Sequence, residues 1–402
     1  MKEDFEKVSQ ILGSSTDQVI EIMSGLIPLK AISPKIGGKG ESDRAKFVDG
    51  LLKSWGFQTK IYEYTDETGA KRPNIVTSFG NAGRTIWFVP HMDTVAEGER
   101  SLWHTDPFVA TVDGGRIYGR GTNDDGQGLV ASLLAIKALK DASTQPRFNF
   151  GLALVSDEEM GSEYGMKRLL ADNVFVSGDM FVVPDFWSPD GNIVEIGEKG
   201  VLWLKITITG AQVHASTPEE GTNAFRYLAK FLLKADELLH SKYSAENPVF
   251  RPQASTFEPT KHEKNVDSVN IIPGTETFYI DCRILPQYRP DDVITDVKAL
   301  ASAPEFKDVT ISVEVEQRDD PVPNTSPDSE LVHMMELALR KLRDVVPENL
   351  GIGGGTEASF IRKAGMQAVA YGTNDQTAHT PNEYVAIDNL LADAKLYAYV
   401  VL

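Results

Sequence analysis

The sequence has few of the features that assign a chain quickly to a class. Cys282 is the only cysteine among 402 residues, which excludes an intramolecular disulfide and a Cys-x-x-Cys metal or redox pair. Basic side chains are scarce, with 40 Lys and Arg against 58 Asp and Glu. The resulting net charge of −18 disfavours nucleic acid and other polyanions as partners. A reducing compartment fits this composition.

Long apolar runs are also absent from the sequence. No stretch approaches the roughly 20 apolar residues that cross a bilayer, and the charged N-terminus lacks the apolar segment of a signal peptide. We therefore expect no membrane partner and a cytoplasmic location.

The order of apolar patterns predicts two domains, because a chain of this length is too long for one ordinary core. Short apolar runs separated by helical segments predict an α/β catalytic domain with a mixed sheet, parallel at its centre and flanked by helices. Alternating patterns over residues 198–317 predict an inserted α+β domain, expected to be ferredoxin-like. Residues 1–197 and 318–402 then form the catalytic domain.

Side chains that bind metals or handle protons follow the predicted strands directly. His91 follows the run 86–89, the acids 157–159 follow the run 148–155, and Asp185 follows the run 180–183. His379 comes a short loop after the run 368–371. Ligand sites in open α/β sheets lie at the carboxyl ends of the strands. The sequence therefore predicts that these segments share one site.

Each segment alone also has an ordinary structural explanation. Asp124 and Asp125 follow a glycine turn at a loop-to-helix junction, where Asp is a favoured N-cap. The acids 157–159 are compatible with a solvated turn, and a single histidine at a strand end is more often structural than a ligand. A metal site is favoured because all of these segments converge, and because paired carboxylates repel unless a cation neutralises them.

Taken together, these segments resemble the M20 family of metallopeptidases and deacylases over nearly the whole chain. The resemblance extends to further motifs that occur in the family's order: Trp103–Phe108, Gly119–Gly121, Gly210–Pro218, Asn270–Gly274 and Asp281–Arg283. It implies a hydrolase with a two-domain fold in which the inserted domain acts as a lid and dimerisation domain.

The resemblance implies a centre that holds two divalent cations. Asp124 would bridge both cations, with His91 and Asp185 completing one coordination sphere and Glu159 and His379 the other. Three carboxylates and a bridging hydroxide would then balance the positive charge. Zinc is the expected metal for such ligands, and cobalt or manganese can occupy the same site. The peptide bond between residues 124 and 125 is expected to be cis.

The resemblance also implies the catalytic roles. Asp93 would orient His91, and Glu158 would be the general base, which leaves Glu159 as the ligand. His214 of the inserted domain would stabilise the oxyanion, acting across a homodimer formed by that domain. A surface-loop histidine is the alternative for His214.

Substrate-binding residues are implied as well. Arg283 and Asn270 would anchor a substrate carboxylate, although Arg283 on a strand could equally form a surface ion pair. Gly354, Gly355 and Thr356 would provide a backbone cradle on the catalytic side.

Two departures from the family pattern bear on specificity. After the paired acids, Gly126-Gln127 stands where the family often has Lys-Gly. The segment Thr356–Phe360 resembles acetylornithine deacetylases, whereas the preceding glycines resemble succinyl-diaminopimelate desuccinylases. The acyl group and side chain that the enzyme accepts therefore stay open.

The sequence thus predicts a metal-dependent hydrolase that cleaves an amide bond in an N-acyl amino acid or short peptide. Attack would come from a hydroxide held between the cations, with Glu158 as the base. Two alternatives from other classes are a dinuclear phosphoesterase, which uses the same ligand types, and a binding protein that kept the fold but lost the chemistry.

Overall fold

The computed structural model of the protein describes residues 2–402 and forms two compact units. The second unit consists of Gly197–Asn324 and Leu350–Gly355, and the first contains the rest of the described chain. The sequence placed the return to the first domain at residue 318. The structure instead keeps residues 318–324 in the second unit and adds the glycine-rich segment that ends at Gly355.

Helices in the described residues account for much of both units. Their bounds are α1 (Lys2–Gly13), α2 (Thr16–Leu26), α3 (Ser42–Ser54), α4 (Gly126–Asp141), α5 (Met166–Ala171), α6 (Ala224–Lys242), α7 (Pro290–Ala301), α8 (Glu330–Leu342), α9 (Glu357–Lys363) and α10 (Ile387–Val401). Across residues 2–402, none of these helices is both long enough and apolar enough to span a bilayer.

The strands follow the same chain order. Their bounds are β1 (Lys60–Thr65), β2 (Lys71–Phe79), β3 (Thr85–Phe88), β4 (Thr111–Asp113), β5 (Arg116–Tyr118), β6 (Asn149–Leu154), β7 (Met180–Val183), β8 (Ile193–Glu198), β9 (Gly200–Thr209), β10 (Val213–His214), β11 (Thr256–His262), β12 (Ile271–Ile272), β13 (Thr275–Ile284), β14 (Thr310–Asp319), β15 (Glu348–Ile352), β16 (Gln367–Ala370) and β17 (Tyr384–Ala386).

An eight-stranded mixed sheet organises the first unit, in the order β1-β2-β6-β3-β7-β16-β8-β15. Its central strands β6, β3, β7 and β16 are parallel neighbours. Antiparallel pairing flanks them, between β2 and β6 on one side and between β16 and β8 on the other. The predicted mixed sheet with a parallel centre is confirmed.

Both faces of this sheet are covered, as the apolar runs of the central strands require. Phe88 of β3 stacks on Phe150 of β6 at a centroid distance of 4.2 Å and contacts Tyr397 of α10 at 4.9 Å. Its neighbour Trp87 contacts Phe175 at 5.1 Å. Successive strand residues point to opposite faces, so helix α10 covers one face and the segment around Phe175 covers the other.

The second unit contains a four-stranded antiparallel sheet in the order β11-β13-β9-β14. Helices α6 and α7 contribute Phe231, Val293 and Val297 to a core with Leu204 and Phe278 of the strands. The chain order strand, helix, two strands, helix, strand is that of a ferredoxin-like fold. The alternating sequence pattern follows from this one-sided burial.

Candidate metal centre

The parallel strands deliver the predicted segments to one edge of the first unit's sheet. His91 follows β3 and forms an isolated parallel bridge with Val155, the residue after β6. Asp185 comes two residues after β7. Because β3, β6 and β7 run parallel, their carboxyl ends lie side by side. His379 reaches the same edge through the loop that follows β16.

Asp124 lies between the two histidines. Its Oδ1 is 2.7 Å from Nε2 of His91, and its Oδ2 is 3.0 Å from Nε2 of His379. The same nitrogen of His379 is 3.1 Å from Oε2 of Glu159. The two oxygens of one carboxylate therefore face two different imidazoles, which is the geometry that a carboxylate bridging two cations requires.

Glu158 and Glu159 face different sides of this arrangement although they are neighbours in the chain. The possible ligand atoms of His91, Asp124 and Glu159 lie within 4.8 Å of one another, and so do those of His91, Glu158 and Asp185. The two groups share His91. The turn thus divides its two glutamates between two overlapping sets of metal-binding atoms.

Negative charge accumulates at this buried site. Burial raises the pKa of Asp185 to about 7, and the charge of Asp124 adds to the rise. Burial and Asp124 also raise the pKa of Glu159. Hydrogen bonds to Asp124 and Glu159 raise the pKa of His379 to about 10. Carboxylates at this density stay ionised only beside positive charge. Imidazole nitrogens and carboxylate oxygens are zinc ligands, so this donor set fits a pair of divalent cations.

Asp93 is fully buried and holds the main chain of the acidic turn. Its two oxygens accept the N–H groups of Glu158 at 3.1 Å and Glu159 at 3.0 Å. Its Oδ1 also makes a long contact of 3.4 Å with Nδ1 of His91. Asp93 therefore fixes the position of the predicted base as well as facing the imidazole.

Asp125 has the capping role that the sequence left open for this pair. Its Oδ1 accepts the N–H of Gly128 at 3.1 Å, at the start of α4, and its Oδ2 accepts the N–H of His91 at 3.2 Å. The peptide bond between Asp124 and Asp125 is cis, as the resemblance implied. Asp125 thus anchors the helix and the histidine segment, while Asp124 faces the histidines.

Glu383 is a buried residue of the site that sequence reasoning missed. Its Oε1 accepts the N–H groups of Asn123 at 2.8 Å and Asp124 at 3.1 Å. Its Oε2 accepts the N–H of Gly121 at 3.0 Å and binds Nη1 of Arg120 at 2.6 Å. One carboxylate therefore holds the glycine turn that carries Asp124. Its acceptors face main-chain groups of a distant segment, so no residue-type pattern marks it.

The departure at Gln127 belongs to a second buried polar network. Its Nε2 donates to Oδ2 of Asp393 in α10 at 2.7 Å and to the carbonyl of Thr373 at 2.9 Å. Asp393 also pairs with Arg343 at 2.6 Å. Gln127 therefore links the first turn of α4 to α10.

In the second unit, β10 pairs with β12 and brings His214 beside Asn270. The exposed ring of His214 accepts the main-chain N–H of Ser216 on Nδ1 at 3.2 Å, and the Ser216 hydroxyl lies 2.7 Å from the same nitrogen. In the neutral tautomer with its proton on Nε2, Nδ1 is free to accept this N–H. The amide nitrogen Nδ2 of Asn270, itself a donor, lies 3.4 Å from Nε2.

Arg283 forms the ion pair that the sequence kept as its alternative. Its Nε and Nη2 bind the two oxygens of Asp281 at 2.7 and 3.0 Å. Its Nη1 donates to the carbonyl of Gly353 at 3.0 Å. Each terminal nitrogen has a second N–H that these contacts do not use. The guanidinium is thereby held beside the glycine-rich segment of its own unit.

The residues of the predicted cradle are assigned to different units. Gly354 and Gly355 end the second unit, and open space surrounds the position where Gly355 would carry a Cβ. Thr356 begins the next segment of the first unit and caps α9, because its Oγ1 accepts the N–H of Ala358 at 3.1 Å.

The fold and the site together define a metallohydrolase. The chain belongs to peptidase family M20/M25/M40, whose family model matches residues 87–402. It is 38% identical to an uncharacterized metallohydrolase of Methanocaldococcus jannaschii, over 95% of this chain and 98% of that one. It is 28% identical to a succinyl-diaminopimelate desuccinylase of Nautilia profundicola, over 93% and 97% of the two chains.

Solved structures share the fold. The M20 family metallo-carboxypeptidase Sso-CP2 of Sulfolobus solfataricus superposes with a TM-score of 0.76 at 21% identity, covering 96% of this chain and 98% of the other. The expected α/β fold with an inserted domain is therefore the fold of this family.

Proposed function

We propose that the protein is a two-metal amidohydrolase that cleaves an amide bond in an N-acyl amino acid or a short peptide. The observation that carries the proposal is the position of Asp124, whose two oxygens face His91 and His379 separately. Glu159 and Asp185 add a carboxylate to each side. Asp124 would bridge two cations, with zinc expected and cobalt or manganese as substitutes.

Bound cations at such a centre activate a water molecule and polarise the scissile carbonyl. Glu158 would take the proton from the attacking water and deliver it to the leaving amine. Burial raises the pKa of Glu158 well above its ordinary value, which favours a group that must accept a proton near neutral pH. The hydrogen bonds from Asp93 to the turn support this assignment, because they fix where Glu158 stands.

His214 would donate the Nε2 proton to the oxyanion of the tetrahedral intermediate. The N–H of Ser216 beside Nδ1 supports this role, since the tautomer in which Nδ1 accepts it carries the ring proton on the nitrogen that would donate. We propose that His214 acts in a homodimer formed by the inserted unit. Large apolar side chains exposed on that unit support self-association: Phe225, Leu233 and Val269.

A free carboxylate on the substrate would be held by Arg283 and Asn270, with the backbone of Gly354, Gly355 and Thr356 completing the cradle. The unused N–H groups of Arg283 suit a carboxylate. A desuccinylase among the relatives supports an N-acyl amino acid as the substrate class. Cytoplasmic location stays a prediction from composition.

A substrate panel tests the proposal. Metal-free protein is reloaded with zinc, cobalt or manganese and assayed on N-acetyl and N-succinyl amino acids, dipeptides and an aryl phosphodiester. We expect turnover of at least one amide and none of the phosphodiester. Phosphodiester turnover alone would favour the phosphoesterase. No turnover of any compound, with two metals bound, would favour the binding protein.

A further inference from the structure

The turn that carries Glu158 and Glu159 rests on a buried polar cluster that the proposed chemistry does not use. We call it the Arg72 cluster, and it consists of Glu41, Asp66, Arg72, Asn74 and Asp157. The side chains of the charged members are fully buried, and Arg72 is among the largest fully buried side chains of the protein.

Arg72 is the cation that holds this cluster together. Its Nε and Nη2 bind the two oxygens of Glu41 at 2.8 and 2.5 Å. Its Nη1 lies 3.0 Å from Oδ1 of Asp157 and 3.3 Å from Oδ2 of Asp66. Buried carboxylates need such a partner, and removing one partner of a buried ion pair is strongly destabilising. Arg72 thus joins Glu41, the residue before helix α3, to the segment that follows β6.

The backbone of Asp157 needs external support. Its φ of +71° lies in the left-handed region, which costs energy for a residue other than glycine and persists only when surrounding contacts fix it. Here Glu41 accepts the Asp157 N–H at 3.3 Å, and Asp157 Oδ2 accepts the N–H of Tyr164 at 3.1 Å. Both of these hydrogen bonds are therefore accepted by carboxylates of the Arg72 cluster.

Asn74 of β2 forms hydrogen bonds with both ends of the same turn. Its Oδ1 accepts the N–H of Ser156 at 3.0 Å, and its Nδ2 donates to the carbonyl of Tyr164 at 2.9 Å. Asp93 accepts the N–H groups of Glu158 and Glu159. Every main-chain N–H from 156 to 159 is therefore bound by a buried side chain.

We infer that Arg72 is a positioning residue, which through Glu41 and Asp157 holds the turn so that Glu158 and Glu159 face different sides of the centre. This inference rests on the proposed function for its kinetic consequence. Its structural consequence, the rigidity of residues 156–164, does not depend on that function.

The chain offers a matched control in a second buried pair. Arg362 binds both oxygens of Glu195 at 3.0 and 2.6 Å, in the same unit and equally buried. It also contacts the hydroxyl of Thr325 and the carbonyl of Ala368. Arg72→Lys and Arg362→Lys each keep a positive charge but lose the planar fork. Both variants should lose comparable thermal stability.

The test compares the two variants in kinetics and in hydrogen exchange. At saturating metal we expect Arg72→Lys to lower kcat by about 10- to 100-fold, the range that small misplacements produce, with KM changed by less than about threefold. Arg362→Lys should keep kcat within about twofold. In metal-free protein, amides 156–164 should exchange faster in Arg72→Lys than in wild type or Arg362→Lys.

Glu41→Gln keeps the shape of the side chain and removes the negative charge that faces Arg72, so it should give an intermediate loss of kcat. This variant replaces Arg72→Lys in the test if Arg72→Lys does not fold. Equal kcat and equal exchange at 156–164 in all variants would overturn the inference. If wild type turns over no amide, the proposed function fails, and the exchange comparison alone decides whether Arg72 holds the turn.

Discussion

The metal centre of the first unit and the His214 segment of the second unit are built in opposite ways. In the first, His91, Asp93 and Asp124 are buried, and carboxylates from other segments accept the main-chain N–H groups of His91 and Asp124. In the second, His214 is exposed and is held by Ser216, two residues away, and by Asn270. Carboxylates that must stay close together despite their like charges have to be held by several fixed contacts. A single hydrogen-bond donor needs only a proton on the correct nitrogen.

The largest effect should come from the base. Glu158→Ala should lower kcat by about 10⁴-fold, the upper range for general acid–base catalysis, while metal content stays at two per chain. Enzyme kinetics together with elemental analysis check this. The exposed Glu163, which pairs with Lys167, provides Glu163→Ala as a control with unchanged activity. Loss of metal in Glu158→Ala would mean that Glu158 is a ligand and that the roles of the two glutamates are exchanged.

Metal binding should release protons. The pKa of His379 is raised to about 10 and that of Asp185 to about 7, so each group is protonated at pH values below its own pKa. A cation that takes their place displaces those protons, so affinity should rise with pH. Against the effect of burial, hydrogen bonds to Asp124 and Asp93 raise the pKa of His91 as well. The slope should therefore exceed one proton, or about tenfold per pH unit, above pH ~7, and should be steeper below it. Calorimetry in buffers of different ionisation enthalpy measures the release. A pH-independent affinity would argue against these ligands, and His214→Ala should leave the slope unchanged.

His214→Ala should lower kcat by about 10²- to 10³-fold, as loss of an oxyanion donor does, without changing the melting temperature, since the ring is exposed. Mixing this variant with Glu158→Ala should restore part of the activity if the histidine acts across a dimer. Absent complementation, with subunit exchange confirmed, would place the histidine on its own chain. The exposed His240, paired with Asp236, gives a neutral control in His240→Ala.

Glu383→Gln should cost about 3 kcal/mol of unfolding free energy, because it leaves main-chain donors of the Asp124 turn facing an amide nitrogen. The urea midpoint measures this loss, and kcat should fall with it by about tenfold. Glu330→Gln breaks the exposed pair with Arg84 and should cost less than about 1 kcal/mol. Equal costs for the two variants would show that the buried turn is no more constrained than the surface.

The smallest effect should come from Ser216→Ala, which removes the hydroxyl beside His214 but keeps the main-chain N–H. The ring proton should stay on Nε2, so kcat should fall by only about fivefold, the equivalent of about 1 kcal/mol. Nitrogen-15 NMR of labelled histidine reports which ring nitrogen is protonated. A proton on Nδ1 in wild type would contradict the arrangement described for the second unit.

The sequence predicted the elements and residues whose signal is local. The apolar runs before His91, Asp157 and Asp185 located the parallel strands, and their carboxyl ends located the site. The resemblance to the M20 family separated Glu158 from Glu159, which residue type alone does not.

Residues that act through distant main-chain groups could not be predicted. Glu383 and Arg72 belong to no motif in the sequence, and one partner of Glu383 lies 263 residues away. The end of the inserted unit was also missed, because the chain stays with that unit through Asn324 and returns to it at Leu350–Gly355. Contacts of this kind are set by tertiary packing, which leaves no periodic trace in the sequence.

The most direct test of the central claim is anomalous diffraction from crystals loaded with zinc. The account predicts two zinc positions roughly 3.5–4 Å apart, one on each side of Asp124, with His91 and Asp185 at one and Glu159 and His379 at the other. A single zinc, or a pair that Asp124 does not bridge, would contradict it.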